Sequence, residues 1–340
     1  MNKNQQRLNQ MRVAVDARLH HFVSSGVTPG VSYALLAGGD VYTSVFGNEA
    51  IRPETVPLQA HRFYDLASLT KVLGTTPLFL QAVAEGRLAL NQPLRTILPD
   101  FSGGDVTFQE LLTHTSGLAG YIPHRDELPP DQLEQALITQ LHEGPERGVH
   151  AVYRDFNLLL TGWALERVYG GVPIQQLITT HVLNPLHLEA TFTPTPTLCV
   201  PTTYSKQAGL LRGHVHDPKS AILGTHSGAA GLFATLDGVV KFVQSTFDAK
   251  SAVMPTAWAQ TLQRDYTAGE RRSIGFNLRY PATSRRPWLY HTGYTGTFVL
   301  FDPTAQLGLV VLTNRVHPVV HEDFLKQRDE LIHHLLEVMG

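Results

Sequence analysis

Residues 296–312 read GTFVLFDPTAQLGLVVL. Gly296 to Phe301 and Leu307 to Leu312 are apolar runs rich in strand-favouring residues, and Asp302-Pro303-Thr304 between them is a turn signal. The stretch predicts two strands joined by a turn. The start of the chain mirrors it: Val31 to Leu36 and Val41 to Phe46 flank Gly38-Gly39-Asp40, a hairpin signal. Outside these lie two amphipathic helices. Leu8, Met11, Val15, Leu19 and Phe22 mark the first, with Gly26 able to cap it. Phe324, Leu325, Leu331, Ile332, Leu335 and Leu336 mark the last, from about Glu322 to Val338. From about Leu66 to Val243 the chain reads mostly as helices joined by Pro- and Gly-rich loops. The expected class is therefore α/β in the α+β sense: one antiparallel sheet built from both termini, flanked by helices, with a mainly helical lobe inserted. Residues 1–65 and 228–340 are expected to form the sheet lobe and 66–227 the helical lobe, together one domain.

The composition fits a large buried core, with 340 residues of which 43% are hydrophobic. A formal net charge of -2 gives no electrostatic case for nucleic acid or an anionic membrane. Charged residues are only 16%, which leaves polar work to His, Thr, Asn and Gln. Cys199 stands alone, so no intrachain disulfide forms, and its neighbours lack the basic groups that would activate a thiol. No apolar segment after Met1 reads as a signal peptide and no run is long enough to span a membrane, so a soluble cytoplasmic protein is expected. Oligomeric state is not legible.

Asp65-Leu66-Ala67-Ser68-Leu69-Thr70-Lys71-Val72-Leu73 opens an apolar helical stretch. Ser68 and Lys71 are three apart and share a helix face. A helix start also aims free N–H groups at whatever Ser68 would attack. Apolar neighbours of Lys71 disfavour its charged form and can make it a base. The plain alternative is a capping serine beside a solvated lysine. No other lysine in the chain has a serine three residues before it. Two further motifs accompany the first. Tyr153-Arg154-Asp155-Phe156-Asn157 precedes an apolar helix, and His291-Thr292-Gly293 lies between strand-like runs.

Serine–lysine, then tyrosine–x–polar, then basic–Thr–Gly is the motif order of the penicillin-recognising serine hydrolases, and the chain resembles that family: class C β-lactamases, DD-carboxypeptidases and related esterases. The resemblance spans nearly the whole chain. It includes Leu111-Leu112-Thr113-His114-Thr115-Ser116-Gly117-Leu118, Val215-His216-Asp217-Pro218, Gly231-Leu232-Phe233, His291 to Thr297, and Leu312 to Pro318. It implies a β-lactamase/transpeptidase-like fold and a small ester, amide or β-lactam substrate, with no cofactor and no metal. It also implies that Ser68 is acylated, that Lys71 and Tyr153 share its proton, and that Tyr153 activates the deacylating water. The backbone N–H groups of Ser68 and Tyr294 would form the oxyanion hole, and Asp155, His291, Thr292, Gly293 and Arg315 would contact substrate.

Two positions depart from the pattern. Asp155 stands where Asn is usual, and its carboxylate favours protonated Lys71, shifting the base role toward Tyr153. His291 stands where Lys is frequent. An unperturbed imidazole, with a pKa of about 6.5, is mostly neutral at pH 7 and would hold a substrate carboxylate better as pH falls, unless Arg315 supplies a charge. An esterase is therefore expected first, with a D-Ala-D-Ala carboxypeptidase or β-lactamase as alternatives. A non-catalytic binding module and a metallo-hydrolase are the rivals from other classes. The best metal candidate is His214-Val215-His216-Asp217, which Pro218 and Lys219 leave incomplete. Glu166 is expected to be a surface charge, and Arg271-Arg272 and Arg285-Arg286 to be loop charges. Tyr121 and Trp288 read equally as pocket linings or exposed loop aromatics.

Overall fold

The computed structural model describes residues 2–339. Its strands are β1 (Gly30–Ala37), β2 (Asp40–Ala50), β3 (Val56–Pro57), β4 (Asn277–Arg279), β5 (Trp288–Thr292), β6 (Phe298–Asp302) and β7 (Leu307–Thr313). They form one sheet in the order β4-β5-β6-β7-β1-β2-β3, antiparallel throughout. The two termini meet at its centre, where Val31 lies opposite Thr313 and Ala37 opposite Leu307. The helices used below are α1 (Lys3–Ser24), α2 (Thr76–Ala84), α3 (Phe156–Val168), α4 (Pro218–Leu223) and α5 (Asp323–Met339). The α+β architecture read from the sequence is the one found.

Both faces of the sheet are covered, so β1 and β7 are buried along their whole lengths. Alternate side chains of β7 go to different cores. Leu309 and Val311 pack with Tyr33, Met11, Val15, Leu19, Leu331 and Leu335 beneath α1 and α5. Val310 and Leu312 pack with Leu69, Val72, Phe79, Leu158 and Trp163 of the helical region. Burying each such Leu or Val contributes about 1.5–3 kcal/mol, so the sheet is clamped from both sides.

The helix after Ser68 is less regular than its apolar run predicts. Lys71–Thr75 form a π-helical turn, and the N–H of Thr76 reaches back to the carbonyl of Lys71. Pro77 is one cause, because it has no N–H to continue the α pattern. Gly74 permits the close packing there: a Cβ at this position would sit 2.9 Å from the Ile178 side chain. The middle of the chain also holds two-residue strands at Tyr64–Asp65, Ala190–Thr191 and Phe233–Ala234. Strands of two residues carry no readable period. No described helix is long and apolar enough to cross a membrane.

Candidate active site

Ser68 sits on a strained turn. Ala67, immediately before it, has φ +45°, a left-handed conformation costly for any residue with a Cβ. Buried Asp65 holds that turn: Oδ1 accepts from the N–H of Ala67 and Oδ2 from the N–H of His216, both at 2.8 Å. The third-motif loop is bonded to the same turn. Thr295 donates to the Asp65 carbonyl at 2.8 Å and Thr297 to the Leu66 carbonyl at 3.1 Å. Gly293 is required by this contact, because a Cβ there would lie 2.3 Å from the Leu66 carbonyl oxygen. Burial raises the Asp65 carboxyl to about 6, against the pull of its two backbone donors. Asp65→Asn keeps one acceptor and loses the other. It is expected to lower kcat/KM by about 10- to 100-fold and to cost about 1–3 kcal/mol, read by ester hydrolysis and thermal unfolding.

Three groups converge around the Ser68 hydroxyl. The Lys71 ammonium donates to Ser68 Oγ at 2.7 Å, Asp155 Oδ1 at 2.9 Å and the Ala229 carbonyl at 2.9 Å. Three acceptors for three N–H bonds describe a protonated amine. Burial opposes that charge, but Tyr153 and Asp155 outweigh it and hold the Lys71 pKa above its ordinary value. The Tyr153 hydroxyl donates to Ser68 Oγ at 2.8 Å. Its pKa is raised by burial and by Asp155, while Lys71 pulls it back. Burial also works against the Asp155 carboxylate, yet Lys71 and Lys219 hold it well below the usual range.

The phrase Leu111 to Leu118 shapes this side. His114 Nδ1 accepts from the Arg154 N–H at 3.3 Å and from the Asn157 amide at 3.1 Å, while Ser116 donates to Asn157 Oδ1 at 2.9 Å. The His114 ring lies 4.5 Å from that of Tyr153, so this buried network holds the second motif in place.

The third motif differs from expectation in its charge. His291 is buried beside Lys71 and Arg272. Burial first, and those cations next, press its pKa down to about 3. It does not titrate near 6.5, so the expected gain in carboxylate affinity on mild acidification has no basis. Arg315 is tied to the carbonyls of Tyr294 at 2.9 Å and His321 at 3.3 Å, over the Tyr294 ring. Arg272, expected to be a loop charge, instead lines the cleft with Tyr153 and His291. Two cavities meet at Ser68, Tyr153 and Tyr294. One, of about 390 Å³, adds Lys71, Asp155, His216, Asp217 and Ala230. The other, of about 310 Å³, adds Arg272, Arg279, His291, Thr292 and Arg328, and none of the described residues lining it is acidic. The backbone N–H groups of Ser68 and Tyr294 are engaged by no other described group.

Other side chains fall elsewhere. Glu166 is no surface charge: it is buried, accepts from the Ile174 N–H at 2.7 Å and faces His226 Nδ1 at 3.0 Å. It answers the unpaired N–H at a helix start. Trp288 is buried under α1 and α5, and Tyr121 is 84% exposed; neither lines the two cavities. His216 uses its N–H for Asp65 and stacks on Tyr294, and Asp217 caps α4. Among the described residues, only His61, Glu189 and Asp237 gather ligating atoms within 4.8 Å, all exposed and outside the Ser68 cleft.

A family model described as Beta-lactamase matches residues 15–333. A curated relative, the N-acetylmuramyl-L-alanine amidase of Bacillus subtilis (strain 168), is 25% identical over 90% of this chain and 81% of its own length. Among solved structures, EstCE1, described as a hydrolase with promiscuous acyltransferase activity, superposes with TM-score 0.77 at 19% identity, covering 96% of this chain and 99% of that one. A Beta-Lactamase/D-Alanine Carboxypeptidase from Pseudomonas syringae gives 0.76 at 18%, covering 96% and 98%. With the match to the family model running through all three motifs, the chain belongs to the Beta-lactamase family and is a serine hydrolase.

Proposed function

We propose that this enzyme hydrolyses small esters and amides through an acyl-enzyme on Ser68. The observation that carries the proposal is the convergence of Lys71 Nζ and the Tyr153 hydroxyl on one serine oxygen, at the junction of two cavities. Lys71, already protonated, serves as a fixed cation. Tyr153, as the phenolate fraction that Lys71 favours, takes the Ser68 proton as Oγ bonds to the substrate carbonyl carbon. The carbonyl oxygen becomes an oxyanion facing the N–H groups of Ser68 and Tyr294, each such donor being worth about 3 kcal/mol. Collapse expels the leaving group, which takes the proton from Tyr153. Water then repeats the sequence against the acyl carbon and returns Ser68.

Esters are the first substrate class, because an alkoxide needs less help in leaving than an amine. One observation supports a second reading within the same chemistry: Arg272 lines the cavity and can face a substrate carboxylate, as in a D-Ala-D-Ala peptide. The test compares kcat/KM for p-nitrophenyl acetate, mono-p-nitrophenyl glutarate, a D-Ala-D-Ala peptide and a chromogenic cephalosporin, in wild type and Arg272→Gln. Esters should be turned over fastest, and no substrate should show a break in KM near pH 6.5, because His291 stays neutral. A fall of about tenfold in the anionic-to-neutral ratio in Arg272→Gln supports a carboxylate subsite. An unmoved ratio removes the second reading. Turnover should survive prolonged EDTA, and its loss would favour a metallo-hydrolase.

A further inference from the structure

Asp155 poses an electrostatic problem within the proposed mechanism. Its carboxylate holds Lys71, yet it also places a negative charge beside Tyr153, which must itself become negative to act as a base. The structure places a second cation on the far side of that carboxylate. Lys219 Nζ lies 3.4 Å from Asp155 Oδ2 and 3.2 Å from Asp217 Oδ2. Asp217 also caps α4, accepting from the Ser220 N–H at 2.8 Å, which fixes the turn that carries Lys219. Lys219 is only 13% exposed and lines neither cavity, so substrate does not reach it.

We propose that Lys219 is a positioning residue that offsets the charge of Asp155, so that the carboxylate can hold Lys71 without opposing the ionisation of Tyr153. This rests on the reading of Tyr153 as the base. The groups facing Tyr153 are Lys71, Asp155 and Arg272, with the rings of His114 and His291 held neutral by burial. Lys219 and Asp217 stand behind Asp155. Tyr153 ionised, Lys71, Asp155, Lys219 and Asp217 then form a row of alternating sign, in which each inner charge is flanked by two opposite ones. Removing Lys219 leaves Asp155 less compensated and makes the phenolate harder to form. Asp155 is 30% exposed, so water screens part of this effect. A shift of about one pH unit is the expected size.

The experiment measures kcat against pH, from about 5 to about 10, for a neutral p-nitrophenyl ester. It uses wild type, Lys219→Met, Lys219→Gln, Lys219→Arg, Asp155→Asn and the double variant Asp155→Asn/Lys219→Met. The two neutral variants should move the rise in kcat about one unit to higher pH, which is about a tenfold loss on the limb near pH 7. Lys219→Arg should restore the wild-type profile. The double variant, with both charges gone, should recover most of the shift. A loss equal at every pH, or losses that multiply in the double variant, would show a merely structural ion pair and overturn the proposal. Fluorophosphonate labelling of Ser68 in each protein separates the two levels. Labelled protein with an unmoved profile removes the role of Lys219 alone, whereas an unlabelled wild type removes the acyl-enzyme reading and this inference with it.

Discussion

Ser68→Ala is expected to lower ester hydrolysis by about 10,000-fold or more while leaving the fold intact. The serine oxygen is the single atom on which Lys71 and Tyr153 both act, so its loss removes the nucleophile and strands its activating groups. The fold should tolerate the change. Lys71 keeps Asp155 and the Ala229 carbonyl as acceptors, and Tyr153 is 38% exposed and can turn its hydroxyl to water. Thermal unfolding should therefore shift by no more than about 1 kcal/mol in stability. Two other serines test the assignment. Ser116 is buried and donates to Asn157, and Ser227 is buried with its hydroxyl near the Ala230 carbonyl. Neither has a lysine or tyrosine on its oxygen, so covalent labelling should not move to them in Ser68→Ala.

Tyr153→Phe carries the second-largest expected effect, a fall in kcat of about 1,000-fold. Phenylalanine keeps the ring that packs 4.5 Å from His114 and removes only the hydroxyl that bonds Ser68. Lys71 cannot take over as base. Its three N–H bonds stay committed to Ser68, Asp155 and the Ala229 carbonyl, and Asp155 still favours its proton against burial after the phenol is gone. The variant should lose the rise of kcat with pH that ionisation of Tyr153 produces. Deacylation should suffer along with acylation, because water needs the same base. A variant retaining both its rate and its pH profile would transfer the base role elsewhere. Stopped-flow and steady-state kinetics with a p-nitrophenyl ester read both steps.

The central fold was legible because its strands are short apolar runs bounded by turn residues and its terminal helices carry broad apolar stripes. β7 sends Val310 and Leu312 one way and Leu309 and Val311 the other, and because both sides are buried the whole run is apolar. The π-helical turn was not legible, since it depends on how Gly74 meets Ile178 from a distant helix. Spacing marked Ser68 and Lys71 as neighbours, and motif order brought in Tyr153, but charge states escaped both. His291 reads as a group titrating near neutrality until its burial beside Lys71 and Arg272 is known. Arg272 reads as a loop charge until the loop is folded against Tyr153 and His291. Glu166 misleads in the same way, because the N–H it accepts belongs to Ile174 across a turn. Lys219 and Asp155 are separated by a long stretch of helices, two-residue strands and loops, and nothing local in either segment announces their pairing.

The most direct test of the acyl-enzyme reading is intact-protein mass spectrometry during turnover of a slow ester, followed by peptide mapping of the acid-quenched protein. The expected result is a mass increase equal to the acyl group, on the peptide that contains Ser68. It should form faster than it decays and be absent in Ser68→Ala. Hydrolysis proceeding at full rate with no acylated species under any quench, or an acyl group mapped to another residue, would contradict the account.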